Sequence, residues 1–176
     1  MIPAVEEHCA VLEALEYFRD FAQKEMCGRC FPCMPGTDRV IWILDKITRG
    51  EGISQDMEFL RLISSRVNET ARCKRGREAA QLLSDSLSSR EREYREHIEE
   101  KHCPKKSCKD LISYKVVAER CTMCGSCKSI CPEEAILGDE YVPYLADNKP
   151  YIIMEKKCTK CGLCLSTCEA DAIILV

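Results

Sequence analysis

The chain has little of what marks several large classes of protein. Its longest apolar runs, such as Val40 to Leu44 and Ala172 to Val176, are five residues long, and a spanning helix needs about 20, so no membrane span is expected. The N-terminus, Met1-Ile2-Pro3-Ala4-Val5-Glu6-Glu7, has neither a basic region nor an apolar core and does not read as a signal peptide. Basic residues number 26 against 29 acidic ones, a net charge of −3, so nothing points to nucleic acid. The eight glycines form no phosphate-cradling motif, which argues against an FMN or NAD site in this chain, and no H-E-x-x-H occurs.

Cysteine is what the chain does have, 15 of them in 176 residues. Cys121, Cys124, Cys127 and Cys131 form a C-x2-C-x2-C-x3-C run, and Cys158, Cys161, Cys164 and Cys168 repeat it 37 residues later. Cys27, Cys30 and Cys33 form a third C-x2-C-x2-C run, for which Cys73 can supply a fourth member. Such density suits either a secreted disulfide framework or metal ligation inside a cell. Three x2-spaced runs without an export signal favour metal, and runs of this spacing hold iron–sulfur clusters. Two zinc sites are the weaker reading, since zinc sites rarely use x2-x2-x3 runs. Iron–sulfur clusters point to a reducing compartment, so a cytoplasmic protein of an anaerobe is expected.

Apolar spacing predicts helices over about Cys9 to Met26, Asp38 to Ile47, Ser54 to Val67 and Arg77 to Glu100, with Ser54 as an N-cap and Pro35-Gly36 as a turn closing the first cysteine run. Trp42 reads as core, and Phe31 and Pro32 as shields between cluster ligands. Beyond Cys108, four short strands (Lys115 to Ala118, Ala135 to Leu137, Tyr151 to Met154 and Ala172 to Val176) bracket the two later runs, as an internal duplication would, with residues 138–150 as a surface turn or hairpin. The fold class is therefore α+β: a four-helix iron–sulfur bundle over residues 1–112, then a small domain over 113–176 that resembles the ferredoxin type.

The two later runs resemble a bacterial two-cluster ferredoxin, in which the fourth cysteine of each run ligates the other cluster. The resemblance implies one [4Fe–4S] cluster on Cys121, Cys124, Cys127 and Cys168 and a second on Cys158, Cys161, Cys164 and Cys131. Pro132 follows Cys131 as that pattern asks; Glu169 stands where a second proline belongs. The segment Glu25-Met26-Cys27-Gly28-Arg29-Cys30-Phe31-Pro32-Cys33-Met34-Pro35-Gly36-Thr37 resembles the E-S-C-G-K-C-x-P-C-R-x-G-T segment of the flavin- and NADH-binding subunit of respiratory complex I. That family includes subunits of bifurcating hydrogenases and formate dehydrogenases. Met26 and Met34 depart from it, but Cys73 lies where its fourth cysteine does, which implies a third cluster on Cys27, Cys30, Cys33 and Cys73. The Gly-rich flavin domain of the family is not in this sequence.

Cys9, Cys103 and Cys108 remain, with His8, His97 and His102. The stretch from His97 through Cys103-Pro104 to Cys108-Lys109 resembles the hinge of bifurcating-hydrogenase flavin subunits, where three cysteines and a histidine bind zinc. Cys9, His97, Cys103 and Cys108 would fit that site. His102 competes for the histidine place, though its neighbour Cys103 makes it awkward; free thiols or a fourth cluster are the other readings.

The expected function is an electron-transfer subunit of an oxidoreductase complex. It would pass electrons between a cofactor-bearing catalytic subunit (flavin and NAD(P)H, hydrogenase, or tungsten or molybdenum type) and ferredoxin or another redox partner, without being an enzyme by itself. A free-standing ferredoxin-like shuttle is the rival, and a redox or iron sensor a third class.

Overall fold

The computed structural model describes residues 9–143 and 149–176. The residues expected to form a turn between 138 and 150 fall partly outside them, as does His8. The chain divides into two compact units, Met1–Leu111 and Ile112–Val176. The first is helical and the second carries two small sheets, so the class is α+β. None of the described helices is long and apolar enough to cross a membrane.

The first unit holds α1 (Ala10–Asp20), α2 (Cys33–Thr48), α3 (Ser54–Thr70), α4 (Lys74–Ser89) and α5 (Glu91–Arg95), with π-helical turns at Phe21–Glu25 and Glu96–Glu100. The apolar stripes face one interior: Leu15, Phe18, Val40, Ile43, Leu44, Ile47, Leu60, Leu83 and Leu87 are all buried. Four expectations need correction. The last helix does not run unbroken to Glu100, because Arg90 leaves helical geometry at φ −121° and ψ 32° and separates α4 from α5. Ser54 is not the cap of α3: Ile53 holds that place, its N–H donating to Asp56 Oδ2 at 2.8 Å, so the carboxylate three residues on satisfies the orphan donor.

The third correction concerns Pro35-Gly36, which lies inside the first turn of α2 and closes nothing. Proline fits there because its missing N–H would be unpaired anyway. Glycine fits because a Cβ at Gly36 would stand 2.8 Å from Val67 Cγ2 of α3, so the two helices approach too closely for a side chain. The fourth concerns Trp42, which faces outward from α2, half exposed, with the Arg39 guanidinium 4.1 Å from its ring centre.

The second unit holds β1 (Tyr114–Val116), α6 (Ser126–Ile130), β2 (Ile136–Leu137), β3 (Ile152–Ile153), α7 (Leu163–Thr167) and β4 (Ile173–Leu175). Strand β1 pairs antiparallel with β4, Tyr114 opposite Leu175, and β2 with β3, Ile136 opposite Ile153. The duplication extends to the backbone. Left-handed residues recur 37 positions apart as Met123 and Lys160 (φ 56° and 57°), Gly125 and Gly162 (81° and 79°), and Glu134 and Asp171 (48° and 46°). Each half contributes one strand to each sheet, so neither half forms a sheet alone.

Candidate metal centres

In the second unit the interleaving seen in the strands returns in the cysteines. Cys131, Cys158, Cys161 and Cys164 line one cavity, and Cys121, Cys124, Cys127 and Cys168 line another. Each cavity therefore takes three cysteines from one run and the fourth from the other. Burial, then the neighbouring Cys121, with Cys124 and Cys168 adding less, pushes the Cys127 thiol up; burial, then Cys158 and Cys161, does the same to Cys164. The fourth cysteines accept matching backbone bonds, Ala135 N–H to Cys131 Sγ and Ala172 N–H to Cys168 Sγ, both at 3.4 Å. Amide donors on sulfur stabilise an anionic thiolate, one of the means by which a protein tunes a cluster.

Two residues beside these cavities escaped the sequence reading. Tyr114 and Tyr151, again 37 apart, line the cavity of the opposite run. A Cβ on Gly162 would lie 3.2 Å from the Tyr114 hydroxyl, and one on Gly125 3.3 Å from that of Tyr151. Burial raises both phenols, followed by Cys164 for Tyr114 and by Glu140 and Cys127 for Tyr151. The 37-residue offset, applied to the aromatics as well as to the cysteines, would have found them.

In the helical unit, α2 begins at Cys33 and α4 immediately after Cys73. A Cβ on Gly76 would stand 3.3 Å from Cys33 Sγ and 3.7 Å from Cys73 Sγ, so both sulfurs converge over that glycine, whose N–H donates to Cys73 Sγ at 3.4 Å. Burial raises the Cys33 thiol, with further contributions from Cys30 and Cys73 and an opposing hydrogen bond from Thr37. The structure thus gathers Cys30, Cys33 and Cys73; Cys27 is exposed in the loop ahead of them. Phe31 is 84% exposed and does not shield the cysteines from water.

The fourth group is far tighter. Cys9, His97, Cys103 and Cys108 are all buried, with one ligand atom from each lying within 4.8 Å of all the others. Cys9 Sγ lies 3.1 Å from His97 Nε2 and 3.6 Å from Cys108 Sγ, and Cys108 Sγ lies 3.4 Å from His97 Nε2. A tetrahedral ion with Zn–S near 2.3 Å and Zn–N near 2.0 Å places its ligand atoms roughly 3.5–3.8 Å apart, so the donor set fits one such ion. Local structure aims each donor. Cys9 caps α1. His97 sits in the π-helical turn, whose extra residue re-aims it. The chain between the last two cysteines turns back as Lys106 N–H donates to the Cys103 carbonyl at 2.9 Å.

One residue orients this group twice. The Glu93 carbonyl lies 2.7 Å from His97 Nδ1 and accepts its proton, leaving Nε2 facing the sulfurs. The Glu93 carboxylate accepts from Ala10 N–H at 3.0 Å, fixing the helix start beside Cys9. Crowding also separates the protonation states. Burial opposes the charged form of His97, yet hydrogen bonds to Cys103 and Cys9 lift the imidazole to about 10. Hydrogen bonds from Cys108 and then Cys9 hold the Cys103 thiol far below its ordinary value, while hydrogen bonds with Cys103 and then Cys9 drive Cys108 far above it. His102, the competing ligand, is not in the group.

Comparison with known proteins follows the same division. Residues 13–97 match the NADH-ubiquinone oxidoreductase-F iron-sulfur binding region, and residues 120–172 the 4Fe-4S dicluster domain. The chain joins those two iron–sulfur domains. Among curated relatives, the HndC subunit of the NADP-reducing hydrogenase of Solidesulfovibrio fructosivorans is 35% identical over 144 residues, 82% of this chain and 29% of that one. An NADH-quinone oxidoreductase subunit of Streptomyces coelicolor is 33% identical over 99 residues, 56% of this chain and 22% of that one. The beta subunit of the NADP(+)-dependent formate dehydrogenase of Moorella thermoacetica is 35% identical over 85 residues, 48% of this chain and 12% of that one. A chain of the NAD+-reducing [NiFe]-hydrogenase in the H2-reduced state is 25% identical with a TM-score of 0.46, over 60% of this chain and 17% of that one. The chain thus spans less than a third of the length of these curated relatives.

Proposed function

We propose that the chain is an iron–sulfur electron-transfer subunit of an oxidoreductase complex, with three [4Fe–4S] clusters and one structural zinc. The observation that carries this reading is the interleaved lining of the two cysteine cavities. Cys121, Cys124, Cys127 and Cys168 hold one cluster, Cys158, Cys161, Cys164 and Cys131 the second, and Cys27, Cys30, Cys33 and Cys73 the third. When bound, each cluster supplies a one-electron couple. The chain's own groups hold the thiolates in place, donate N–H groups to Cys73, Cys131 and Cys168, and keep Cys30, Cys33, Cys127 and Cys164 buried.

Cys9, His97, Cys103 and Cys108 bind zinc, a closed and buried Cys3His site of structural type. The zinc pins the last stretch of the helical unit, since Cys108 precedes the boundary at Leu111 by three residues. The similar proteins named above are subunits of NADH-, NADP- and hydrogenase-type assemblies, so the partner is a cofactor-bearing subunit of that kind, with ferredoxin or another redox protein at the other end of the path. A cytoplasmic place follows from the reducing conditions the clusters need. The exposure of Cys124 and Cys161 favours a second reading, a free-standing ferredoxin-like shuttle.

Anaerobic analysis of iron, sulfide and zinc in the purified chain tests the ligand sets. About twelve iron and one zinc per chain are expected. Sixteen iron without zinc overturns the zinc site, and eight iron overturns the cluster of the helical unit. Isolation from the native host separates the two roles: a stably co-purifying oxidoreductase supports the subunit, and a lone monomer the shuttle.

A further inference from the structure

The exposed rim of the cysteine group in the helical unit is positive, although the whole chain carries a net charge of −3. Arg29 lies between Cys27 and Cys30, Arg72 precedes Cys73, and Arg75 and Arg77 follow it in the first turn of α4; all four are exposed. The two segments are brought together where Cys33 and Cys73 meet over Gly76. Among the described residues, ion pairs engage none of these four arginines; of the nearby carboxylates, Glu78 pairs with Lys74 at 3.3 Å, while Glu25 and Asp38 are exposed. The same cysteine-bearing segment presents Phe31, 84% exposed, and Met34, 46% exposed.

Exposed apolar side chains on segments that also carry like charges outside ion pairs are costly to leave facing water and useful for meeting a partner. The charges raise encounter rates with an oppositely charged surface, and the apolar contact supplies attraction once the two meet. A partner that exchanges electrons with this cluster must approach the face that carries Arg29, Phe31, Arg72 and Arg75. We infer that this rim is a docking site for a small acidic electron-carrier protein of the ferredoxin class, an inference that rests on the ligand reading of Cys27, Cys30, Cys33 and Cys73. Small interfaces of this kind are weak and transient, so the binding is expected to depend strongly on salt.

The test uses the full cluster-loaded chain and an acidic plant-type [2Fe–2S] ferredoxin, with binding measured by calorimetry and electron exchange by anaerobic stopped flow. EPR first establishes the signal of the helical-unit cluster; its absence overturns the ligand reading itself and is seen before any binding is measured. With that signal intact, reversing Arg29, Arg72 and Arg75 to glutamate is expected to weaken binding and slow the association rate about tenfold or more. Raising the ionic strength should do the same to the unaltered chain, and Phe31→Ala should weaken binding without changing the salt dependence. Reversing Arg49, Arg61 and Arg92 is the control of equal charge change and should leave both quantities within twofold. Equal losses from the two triple reversals, no loss from either, or no effect of amidating the ferredoxin carboxylates would each overturn the docking site.

Discussion

The interior of the helical unit is filled by Leu15, Ile43, Leu44, Ile47, Leu60, Leu83 and Leu87, whereas the main core of the second unit is Tyr114, Cys127, Ile136, Tyr151, Cys164 and Ile173. In the first, Cys9, Cys30, Cys33, Cys103 and Cys108 belong to the core as well, but among many aliphatic side chains that already fill it. In the second, Cys127 and Cys164 are two of the six core residues, beside two cysteine-lined cavities, and strands of two or three residues hold the rest. A domain this small rarely buries enough apolar surface to fold unaided, and metal then supplies the missing free energy. The same side chain, cysteine, is thus one component of an aliphatic core in the first unit, and in the second it stands where aliphatic side chains are few.

The sharpest way to break this contrast is to remove iron. Anaerobic chelation is expected to abolish the structure of residues 112–176 entirely while residues 10–111 keep their helices. Amide exchange resolved by residue checks this: protection should vanish in β1 to β4 and persist at Leu44 and Leu83. Protection surviving in the strands would show that the second unit has a sufficient core of its own.

The next largest effect belongs to the tight site. On the proposed zinc reading, Cys9→Ser should cost the chain its zinc and destabilise the helical unit by about 4 kcal/mol or more, because three ligands would be left buried beside a poor fourth. Chemical denaturation followed at 222 nm, with zinc counted on the same sample, measures it. Leu44→Ala, which removes a fully buried side chain but no ligand, should cost about 2–5 kcal/mol and leave the zinc in place. If the two variants lose equal stability and both keep zinc, the four-residue group is ordinary core.

Alkaline pH sharpens the comparison further. Burial, opposed by a hydrogen bond with Ser86, pushes the Tyr94 phenol up to about 12 from an ordinary value of 10.0. The folded state therefore holds this proton more tightly than the unfolded chain does. The resulting stability, about 2–3 kcal/mol, is fully present below pH 10 and is lost as pH rises from 10 to 12. Tyr94→Phe should cost about 1 kcal/mol at pH 7, through the lost hydrogen bond, and flatten that alkaline limb relative to the parent. Identical alkaline limbs in parent and variant would assign the pH dependence to other groups.

What could be read from the sequence, and what could not, follows the scale of the interactions involved. Helical spacing put Val40, Ile43, Leu44 and Ile47 on one inward face, and the 37-residue repeat located all four strands, because both are one-dimensional periodicities. The start of α2 at Cys33 was not legible: Pro35-Gly36 is turn chemistry unless α3 passes close enough to require glycine, and that approach is a tertiary fact. The break at Arg90 lies in a charge-rich stretch whose pattern is helical on both sides. At the sites, cysteine spacing grouped the residues, but the Glu93 carbonyl on His97 and the Tyr114 and Tyr151 hydroxyls over the opposite glycines arise from contacts between segments that spacing alone does not bring together.

Trp42 gives the smallest effect and the clearest limit on apolar periodicity. It falls between Ile41 and Ile43 in the longest apolar run of α2, which made it read as core, yet it lies at the stripe's edge and is half exposed. Arg39 at 4.1 Å and Lys46 at 5.5 Å from its ring centre, one turn to either side, give the ring a cationic partner in place of a buried one. Exposed contacts of this kind contribute about 0.5–1 kcal/mol, so Trp42→Ala should cost about that much, several-fold less than Leu44→Ala from the same helix. Thermal denaturation of the two variants side by side decides it. A loss at Trp42 as large as that at Leu44 would mean that the tryptophan is covered in solution, which would make α2's outer face part of an interface.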